Sequence, residues 1–545
     1  GYLGRRSGID MLVGVNPQTL KRDIESIQEG GYFVYDNSRV LHDEFIRDEI
    51  HYIGIPMIDL AREHFSVPRQ QQLFKNIIYV GAVAQLLGMD LEVVRKVISD
   101  QFSHKEKLIE ANYLALDLGA NFIKNNYSKS LNVSVEHADK VSDSIMIDGN
   151  TACALGALYA GATLMAWYPI TPSTSVAKAF ETYCKKLRVD PGTGKNRFAI
   201  VQAEDELAAI GMVIGGTWNG ARAFTATSGP GLSLMSEFIG LAYFAEIPVV
   251  LINVMRGGPS TGMPTRTQQA DLLSSAYASH GDTKHPLLFP STPTECFEYT
   301  VACFDLADRL QTVVMLISDL DLGMNSHLSP PLEWDDQKEY DLGKVLSAAD
   351  LDDMKEDFGR YLDVDGDGIP YRTIPGTHPK KGAFFTRGTS HDEYARYTEL
   401  SEVYKRNVDR LSSKWETAKT LVPKPEFYQG TSGNDTGLIF FGTTSYAAKE
   451  ALDILRSDGQ KMDAMRITAF PFGKEVGIFI DEHEEVIVIE QNRDAQMRTL
   501  LINELELNPQ KVKSVLEYGG IPITAHQIIE GIDALIQKEV TVQKK

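Results

Sequence analysis

Cysteine is scarce in this chain, and none of it is arranged in pairs. The 545 residues contain four cysteines, Cys153, Cys184, Cys296 and Cys303, and no CxxC motif. Because zinc sites and iron–sulfur clusters are built from closely spaced thiolates, neither can be assembled from this chain alone. We expect buried thiols in a reducing compartment. If the reaction transfers single electrons, we expect another subunit to hold the cluster.

Positive charge and long apolar runs are also in short supply. The chain has 54 Lys and Arg residues against 74 Asp and Glu, a formal charge of −20, which disfavours binding to nucleic acids and anionic membranes. No apolar run approaches the roughly 20 residues of a membrane span, and no signal peptide opens the sequence. We therefore expect a cytoplasmic protein without nucleic-acid or membrane partners.

The rest of the composition predicts a multi-domain α/β protein. A length of 545 residues with 43% hydrophobic side chains predicts three or four domains. Strand-like and helical patterns alternate over residues 1–130, 145–330 and 431–545, whereas residues 331–430 form a long charged connection. AFTAT, PVVLINV and TVVMLIS are predicted to be buried parallel strands. The first domain begins abruptly, so we expect it to be incomplete at its N-terminus.

Residues 149–271 contain the densest set of unusual turns. Polar or Gly-rich segments alternate there with short apolar runs, and they include YPITPS, EDELAAIG, TSGPG and RGGPSTGMPTRTQQAD. Proline restricts the backbone, and glycine lets it approach a ligand closely. An α/β domain presents such loops at the ends of its strands to bind a small molecule. We therefore expect the functional site in this region.

These segments resemble the 2-oxoacid:ferredoxin oxidoreductases, which use thiamine diphosphate, and specifically the α subunit with a γ-like domain fused in front. The resemblance covers nearly the whole chain, and YPITP is its most specific motif. It rests on DGNTACALGALYAG (148–161), YPITPS (168–173), EDELAAIG (204–211), TSGPG (227–231) and MRGGPSTGMPTRTQQADL (255–272). It implies a γ-like α/β domain over 1–130, a pyrimidine-type thiamine-binding domain over 145–330 and a transketolase C-terminal-like domain over 431–545.

Glu206 is the first candidate for the acid that activates the cofactor. Thiamine chemistry needs a carboxylate that shares a proton with the aminopyrimidine ring, and the resemblance aligns Glu206 with the family's activating glutamate. Glu204, two positions earlier, is the rival candidate. The alternative interpretation is that the acids of EDE only bond the loop or cap the helix that follows.

Arg256 and Thr171 are the candidates for substrate binding. A 2-oxoacid carries a carboxylate beside its reacting carbonyl, so its site needs a cation or hydrogen-bond donors. Arg256 directly follows an apolar strand, where an α/β sheet places binding groups, and it matches the family's substrate arginine. Thr171 matches the threonine that donates a hydrogen bond to the substrate. The alternatives are a surface arginine and an ordinary turn hydroxyl.

Further assignments complete the predicted site. Ser260, Thr261 and Arg266 follow Arg256 and are candidates for contact with a second carboxylate or with a partner chain. The predicted cofactor contacts are Tyr168, Pro169, Ile170, Thr171, Glu204, Glu206, Ser228 and Gly229. We expect His280 to be a hydrogen-bonded core histidine. Gln491, Asn492 and Gln496 are expected at an interface rather than in catalysis.

The segment DVDGDG resembles two kinds of metal site and matches neither. Asp363, Asp365 and Asp367 have the spacing of the start of a calcium loop, but position twelve is Ile374 rather than glutamate. The GDG within it opens a thiamine-diphosphate metal motif, yet the next asparagine, Asn407, lies too far downstream. We expect the diphosphate and its Mg²⁺ on another subunit, and whether DVDGDG binds a structural cation stays open.

The resemblance implies an oxidoreductase that works with a β subunit. It would convert 2-oxoglutarate and coenzyme A to succinyl-CoA and CO₂ with reduction of ferredoxin, or run the reverse reaction. Thiamine diphosphate would be shared with the β subunit, which would also hold Mg²⁺ and a [4Fe–4S] cluster, in a dimer of αβ heterodimers. The alternatives are the same chemistry on pyruvate, branched-chain or other 2-oxoacids, a non-redox thiamine transferase, and a non-catalytic scaffold that binds ferredoxin or a partner enzyme.

Overall fold

The chain folds as two compact units, residues 7–142 and residues 1–6 with 143–545. The computed structural model describes residues 4–6, 8–103, 105–127, 131–138, 141, 143–430 and 435–543, with only the backbone over 537–543. Within these ranges, no helix has both the length and the apolar character that a membrane crossing requires.

The smaller unit is a three-stranded parallel sheet with helices packed on it. Its elements are β1 (Ile9–Gly14), α1 (Leu20–Glu25), β2 (Ile27–Asp36), β3 (His51–Ile55), α2 (Met57–His64), α3 (Pro68–Leu86), α4 (Leu91–Gln101) and α5 (Glu106–Asn126). Strand β2 lies between β1 and β3. A Cβ atom on Gly81 would overlap the Leu116 carbonyl oxygen, and one on Gly119 would overlap that of Ile78. Glycine therefore lets α3 and α5 pack backbone to backbone.

The larger unit begins with alternating strands and helices. Its elements up to residue 329 are β4 (Ile145–Asp148), α6 (Gly149–Tyr159), β5 (Leu164–Trp167), α7 (Thr174–Leu187), β6 (Ala199–Gln202), α8 (Glu206–Trp218), β7 (Ala223–Thr227), α9 (Gly229–Ala245), β8 (Val249–Met255), α10 (Leu272–Ala276), β9 (Leu287–Leu288), α11 (Pro293–Leu310), β10 (Val313–Asp319), α12 (Leu320–Met324) and β11 (Ser326–Ser329). Strands β4 and β11 form a separate antiparallel pair.

The remaining elements belong to the connection and to the last α/β unit. They are α13 (Ala348–Asp353), α14 (Ser401–Leu421), β12 (Glu426–Tyr428), β13 (Thr436–Phe441), α15 (Thr444–Ser457), β14 (Met462–Ile467), β15 (Ala469–Phe470), α16 (Lys474–Glu482), β16 (Glu485–Glu490), α17 (Gln496–Leu505), β17 (Val512–Leu516) and α18 (Ala525–Gln543).

A seven-stranded sheet forms the centre of the larger unit, in the order β15-β9-β10-β8-β7-β5-β6. Its neighbouring strands are parallel except for β15 with β9. Strands β7, β8 and β10 are buried along their whole length, as central strands are when helices cover both faces. They coincide with the predicted runs AFTAT, PVVLINV and TVVMLIS, and the α/β fold class is confirmed.

The last α/β unit is a five-stranded sheet that shares its core with the seven-stranded one. Its order is β12-β14-β13-β16-β17, and only β12 is antiparallel to its neighbour. Strand β15 pairs with β9, so that Phe470 lies opposite Leu287. One core cluster contains side chains from both sheets, among them Leu251 and Ile439. The two sheets are therefore held together by apolar packing as well as by backbone pairing.

A buried ion cluster ties the connection to α9. Glu246, directly after α9, is fully buried, and both of its carboxylate oxygens bind Arg410. Lys414 donates to Oε2 of Glu246 at 2.8 Å, and Arg360 donates to the Glu246 carbonyl at 2.7 Å. Burial acts to raise the pKa of Glu246, but Arg410 and Lys414 outweigh it and hold that pKa at about 2. The ionised carboxylate therefore compensates the buried cations.

Replacing this carboxylate should destabilise the fold. We expect Glu246→Gln to lower the free energy of unfolding by about 3–5 kcal/mol, because buried cations lose their counter-charge. Urea denaturation of the parent and the variant measures the difference. This difference should shrink as the pH falls from the ordinary pKa of 4.5 toward about 2, because the parent carboxylate is then protonated as well.

Glu237→Gln, on the exposed face of α9, is the matched control. Its side chain is 77% exposed, so we expect a change below about 0.5 kcal/mol. An equal loss of stability in the two variants would show that the Glu246 cluster is not a major source of stability.

Candidate active site

Four motif-bearing segments meet at one edge of the seven-stranded sheet. Strands β8, β7, β5 and β6 are neighbours and run parallel, so the segments that follow them leave from the same edge. These segments are YPITPS after β5, EDE after β6, TSGPG at the end of β7 and RGGPSTG after β8. The sheet topology therefore brings together motifs that are distant in sequence.

Glu206 lies at this edge as the first residue of α8 and has 6% of its surface exposed. In the described part of the chain, its carboxylate takes part in no hydrogen bond or ion pair. A Cβ atom on Gly231 would overlap Oγ1 of Thr227 and lie 2.8 Å from Cγ of Glu206. The TSGPG turn thus packs directly on this side chain. A buried carboxylate is costly without a partner, which favours a partner from outside this chain.

The three acids of EDE have different surroundings. Glu204 is exposed to solvent. Asp205 caps α8, because its carboxylate accepts a hydrogen bond from the Ala208 N–H at 2.7 Å. The capping interpretation therefore applies to Asp205. Burial distinguishes Glu206 from its rival Glu204.

Arg256 links two of the four segments. It follows β8, is 7% exposed, and its Nη1 donates to the Thr171 backbone carbonyl at 2.6 Å. Its Nε is buried and has no hydrogen-bond partner among the described residues. The Thr171 side chain is exposed. The guanidinium therefore has donor capacity left for a carboxylate ligand.

A cavity of about 600 Å³ opens beside Arg256. The sheet loops and the last α/β unit both line it, and the residues that matter here are Gly229, Arg256, Ser260, Asp271, Asn492, Arg493, Asp494, Gln496 and Tyr518. Patterns in the sequence assign no chemistry to the last unit, yet it forms one wall of this cavity. The last unit reaches the cavity only because the two sheets pair, so its contribution can be recognised only from the structure.

Several predicted contacts lie outside the cavity. Thr261 and Arg266 are exposed, and Nη1 of Arg266 contacts the carbonyl of its neighbour Thr265 at 3.3 Å. Tyr168 and Pro169 are exposed after β5, and Ile170 is half-buried. Ser228 is buried, and its Oγ has no hydrogen-bond partner within the described ranges. Of the predicted loop residues after Arg256, the cavity therefore includes Ser260.

Asp271 is a candidate that the sequence does not single out. Asn253 donates to its Oδ2 at 3.2 Å, and a Cβ atom on Gly229 would lie 2.9 Å from its Oδ1. Burial raises the pKa of Asp271 to about 6, although the Asn253 hydrogen bond and the charge of Arg256 act to lower it. A perturbed carboxyl in a cavity is a functional candidate. In the sequence, Asp271 is marked only by its position near the end of the motif MRGGPSTGMPTRTQQADL (255–272).

The last α/β unit holds the segment that carries Asp271. Asn492 donates to the Gln269 carbonyl at 3.1 Å. Gln496 donates to the Ala270 carbonyl at 2.7 Å and accepts from the Leu273 N–H at 3.1 Å. Asn492 and Gln496 therefore lie at an interface within this chain, between the last α/β unit and residues 269–273.

Two of the three aspartates in DVDGDG pair with one lysine. Lys344 lies 2.6 Å from Oδ2 of Asp365 and 2.8 Å from Oδ1 of Asp367. The Asp363 carboxylate accepts two backbone N–H groups of its own loop at 2.8 and 2.9 Å. Across the described ranges, no group of three or more His, Cys, Asp or Glu residues could hold a metal ion.

The expectation for His280 is wrong, whereas that for the cysteines agrees with the structure. The His280 side chain is 83% exposed and lies 3.9 Å from Glu237. The nearby His285 is buried instead; it bonds the Ala278 carbonyl at 2.9 Å, and burial lowers its pKa to about 4. All four cysteines are free and buried. A loop that turns between the two histidines decides which one enters the core.

Two family models match the chain. Residues 155–355 match "Pyruvate flavodoxin/ferredoxin oxidoreductase, thiamine diP-bdg". Residues 3–122 match "Pyruvate ferredoxin/flavodoxin oxidoreductase". The first match contains the four segments at the sheet edge.

Curated relatives and a solved structure agree with these models. Subunit alpha of 2-oxoacid:ferredoxin oxidoreductase 2 from Aeropyrum pernix is 32% identical over 501 residues, 89% of this chain and 76% of that protein. The 2-oxoglutarate synthase subunit KorA from Methanothermobacter marburgensis is 34% identical over 65% of this chain and 89% of its own length. The structure of 2-oxoglutarate:ferredoxin oxidoreductase from Magnetococcus marinus, with 2-oxoglutarate, coenzyme A and succinyl-CoA bound, matches with a TM-score of 0.84 and 28% identity over 97% of this chain and 88% of that one. The chain therefore belongs to the 2-oxoacid:ferredoxin oxidoreductases, a family of oxidoreductase enzymes, and is similar to their α subunits.

Proposed function

We propose that this chain is the α subunit of a thiamine-diphosphate-dependent enzyme that converts 2-oxoglutarate and coenzyme A to succinyl-CoA and CO₂ while reducing ferredoxin, or runs the reverse reaction. One observation carries the proposal. Among the described residues, the buried side chain of Glu206 has no partner for its carboxylate and the buried Arg256 has none for its Nε, and both lie at the same sheet edge. A non-catalytic scaffold gives no reason to bury two such groups, because each is costly without a ligand.

The choice of 2-oxoglutarate rests on the named relatives and on the cavity. The Methanothermobacter marburgensis protein is named for 2-oxoglutarate, and so is the Magnetococcus marinus structure. The Aeropyrum pernix relative has the general name 2-oxoacid, so pyruvate, branched-chain and other 2-oxoacids remain the alternative. Ser260, in the lining of the cavity of about 600 Å³, offers a hydrogen-bond donor to a second substrate carboxylate.

The surroundings of Glu206 fit the aminopyrimidine half of thiamine diphosphate. Glu206 supplies a carboxylate on a buried side chain, Ser228 supplies a hydroxyl with no partner among the described residues, and Gly231 lets the backbone approach. The proposed contacts are Tyr168, Pro169, Ile170, Thr171, Glu206, Ser228 and Gly229, with Glu204 as the solvent-exposed rival acid. When bound, the cofactor supplies an electron sink for cleavage next to the keto group. Glu206 holds the proton that it shares with the ring nitrogen.

Arg256 is proposed to bind the carboxylate next to the keto group. Its bond to the Thr171 carbonyl fixes the guanidinium in place, and its remaining donors match a planar carboxylate. The exposed Thr171 hydroxyl is proposed to donate to the substrate. Ser260, Thr261 and Arg266 are proposed for the distal carboxylate or for the partner chain, and Ser260 is the one that lines the cavity.

A β subunit is proposed as the partner. Leu207, Met212 and Leu234, on α8 and α9, are 37%, 42% and 57% exposed, and exposed apolar side chains beside a site are typical of a protein interface. No acidic or thiolate cluster suited to a metal occurs within the described ranges. We place the diphosphate, Mg²⁺ and the [4Fe–4S] cluster on the β subunit, in a dimer of αβ heterodimers that reduces ferredoxin.

This division of labour is testable on the isolated chain. Expressed without a partner, it should contain no iron and bind no thiamine diphosphate tightly, because its sequence has no paired-cysteine cluster motif and no complete diphosphate motif. Metal analysis and calorimetric titration with the cofactor measure the two properties. Stoichiometric iron–sulfur absorbance from the isolated chain would refute the proposed division.

Glu206→Gln tests the activating acid in the assembled enzyme. The amide keeps the shape but removes the proton relay, so kcat should fall on the order of 10²- to 10⁴-fold, with a much smaller change in KM. Reduction of ferredoxin at saturating 2-oxoglutarate measures this. Glu204→Gln is the matched control. If Glu204→Gln is crippling and Glu206→Gln nearly silent, the two acids have been assigned the wrong way round.

Arg256→Ala tests the substrate arginine. We expect kcat/KM to fall by the equivalent of roughly 2–5 kcal/mol, because one partner of a desolvated charge pair is lost. Arg256→Lys should recover only part, since lysine keeps the charge but not the planar fork. The ratio of kcat/KM for 2-oxoglutarate and pyruvate should hardly change. A large shift in that ratio would assign Arg256 to the distal carboxylate instead.

A further inference from the structure

Asp271 is a half-buried acid in the lining of the cavity, and the proposed reaction leaves it without a role. It occupies the position before α10, yet its side chain makes no capping hydrogen bond to that helix. The carboxylate is turned instead toward Gly229, where a Cβ atom would lie 2.9 and 3.0 Å from its two oxygens. Asn253 donates to Oδ2 at 3.2 Å. The side chain is therefore directed at the substrate cavity and not at its own helix.

The charges around the cavity divide into two pairs. Its charged lining residues within the described ranges are Arg256, Asp271, Arg493 and Asp494. Arg493 and Asp494 are exposed and hydrogen-bonded to each other at 2.7 and 3.1 Å, so they largely neutralise each other. Arg256 and Asp271 are the second pair of charges in the lining. Asp271 is hydrogen-bonded to Asn253 and Arg256 to the Thr171 carbonyl, so these two charges interact through space.

The last α/β unit fixes the position of Asp271. The Gln496 side chain binds the carbonyl of Ala270 on one side and the N–H of Leu273 on the other. These two hydrogen bonds, called here the Gln496 clamp, hold the chain on both sides of Asp271. They restrict the movement of the Asp271 carboxylate relative to Arg256. A fixed charge at constant distance changes ligand affinity in a predictable direction.

We infer that Asp271 is a positioning residue of the substrate site, whose carboxylate offsets the charge of Arg256 and so makes binding of the 2-oxoacid carboxylate depend on pH. The inference rests on the proposed role of Arg256. It assigns a function to the Asn253–Asp271 pair and to the Gln496 clamp, which the proposed reaction does not otherwise use.

The direction of the pH dependence follows from the surroundings of Asp271. Burial raises its pKa to about 6 against the opposing effects of Asn253 and Arg256. Below that pH the side chain is neutral and Arg256 attracts the substrate fully. Above it the carboxylate weakens that attraction. The carboxylates of the substrate stay ionised above about pH 5.5, so KM should rise as the pH passes upward through about 6.

Asp271→Asn in the assembled enzyme is the test. Between pH 5.5 and 8 we expect the KM of the parent for 2-oxoglutarate to rise roughly tenfold, the equivalent of about 1.4 kcal/mol. In the variant, KM should stay low and flat, with a much smaller change in kcat. Asp271→Ser, which also removes the charge, should behave alike. Equilibrium titration of tryptophan fluorescence with 2-oxoglutarate should show the same shift in affinity.

The outcomes separate this inference from the proposed function. Asp458→Asn, an exposed change outside the cavity, should keep the parent profile. If Asp271→Asn retains the parent rise in KM, or loses kcat with an unchanged KM profile, the inference is overturned. The Arg256→Ala variant shows whether the proposed function or only this inference has failed. An unchanged KM in Arg256→Ala would overturn the substrate role of Arg256 itself, whereas a raised KM there with a parent-like Asp271→Asn would overturn only this inference.

Discussion

A buried arginine joins the last α/β unit to the seven-stranded sheet, in addition to strand pairing and apolar packing. Arg466 on β14 is 1% exposed; its Nη1 donates to Glu295 at 2.9 Å and its Nε to Glu426 at 3.0 Å. Glu295 lies in the first turn of α11, so the pair joins the two sheets. A buried guanidinium is tolerated only with such partners. The wall that this unit adds to the cavity, and the hydrogen bonds of Asn492 and Gln496 to the loop after β8, depend on that docking.

Four of the buried charged groups illustrate two classes of surroundings. Glu246 and Arg466 each contact an opposite charge, which is what structural burial of a charge requires. Glu206 and Arg256 are also buried, but no opposite charge contacts either within the described residues. The first class stabilises the fold. The second class lies at the sheet edge where the family's motifs converge, and it leaves capacity for a cofactor and a substrate.

A large part of the fold could be predicted from the sequence because its signals are local. The continuous apolar runs of β7, β8 and β10 indicate strands buried on both faces, and the Gly- and Pro-rich turns that follow them indicate ligand loops. Other outcomes needed the structure. His280 is exposed, whereas His285, five residues later, is buried. Asp365 and Asp367 of DVDGDG pair with Lys344, which lies 23 residues before Asp367.

By itself, then, the sequence determined the order of strands and helices, the loops that carry the motifs and the family to which the chain belongs. The reason is that backbone preferences and apolar periodicity act between near neighbours. The tertiary structure decided the partners of the functional side chains. Arg256 meets the Thr171 carbonyl across 85 positions and Gln496 meets Ala270 across 226. Such contacts exist only after the sheets have paired, so no local pattern encodes that Asp271 faces the cavity or that the last unit forms its wall.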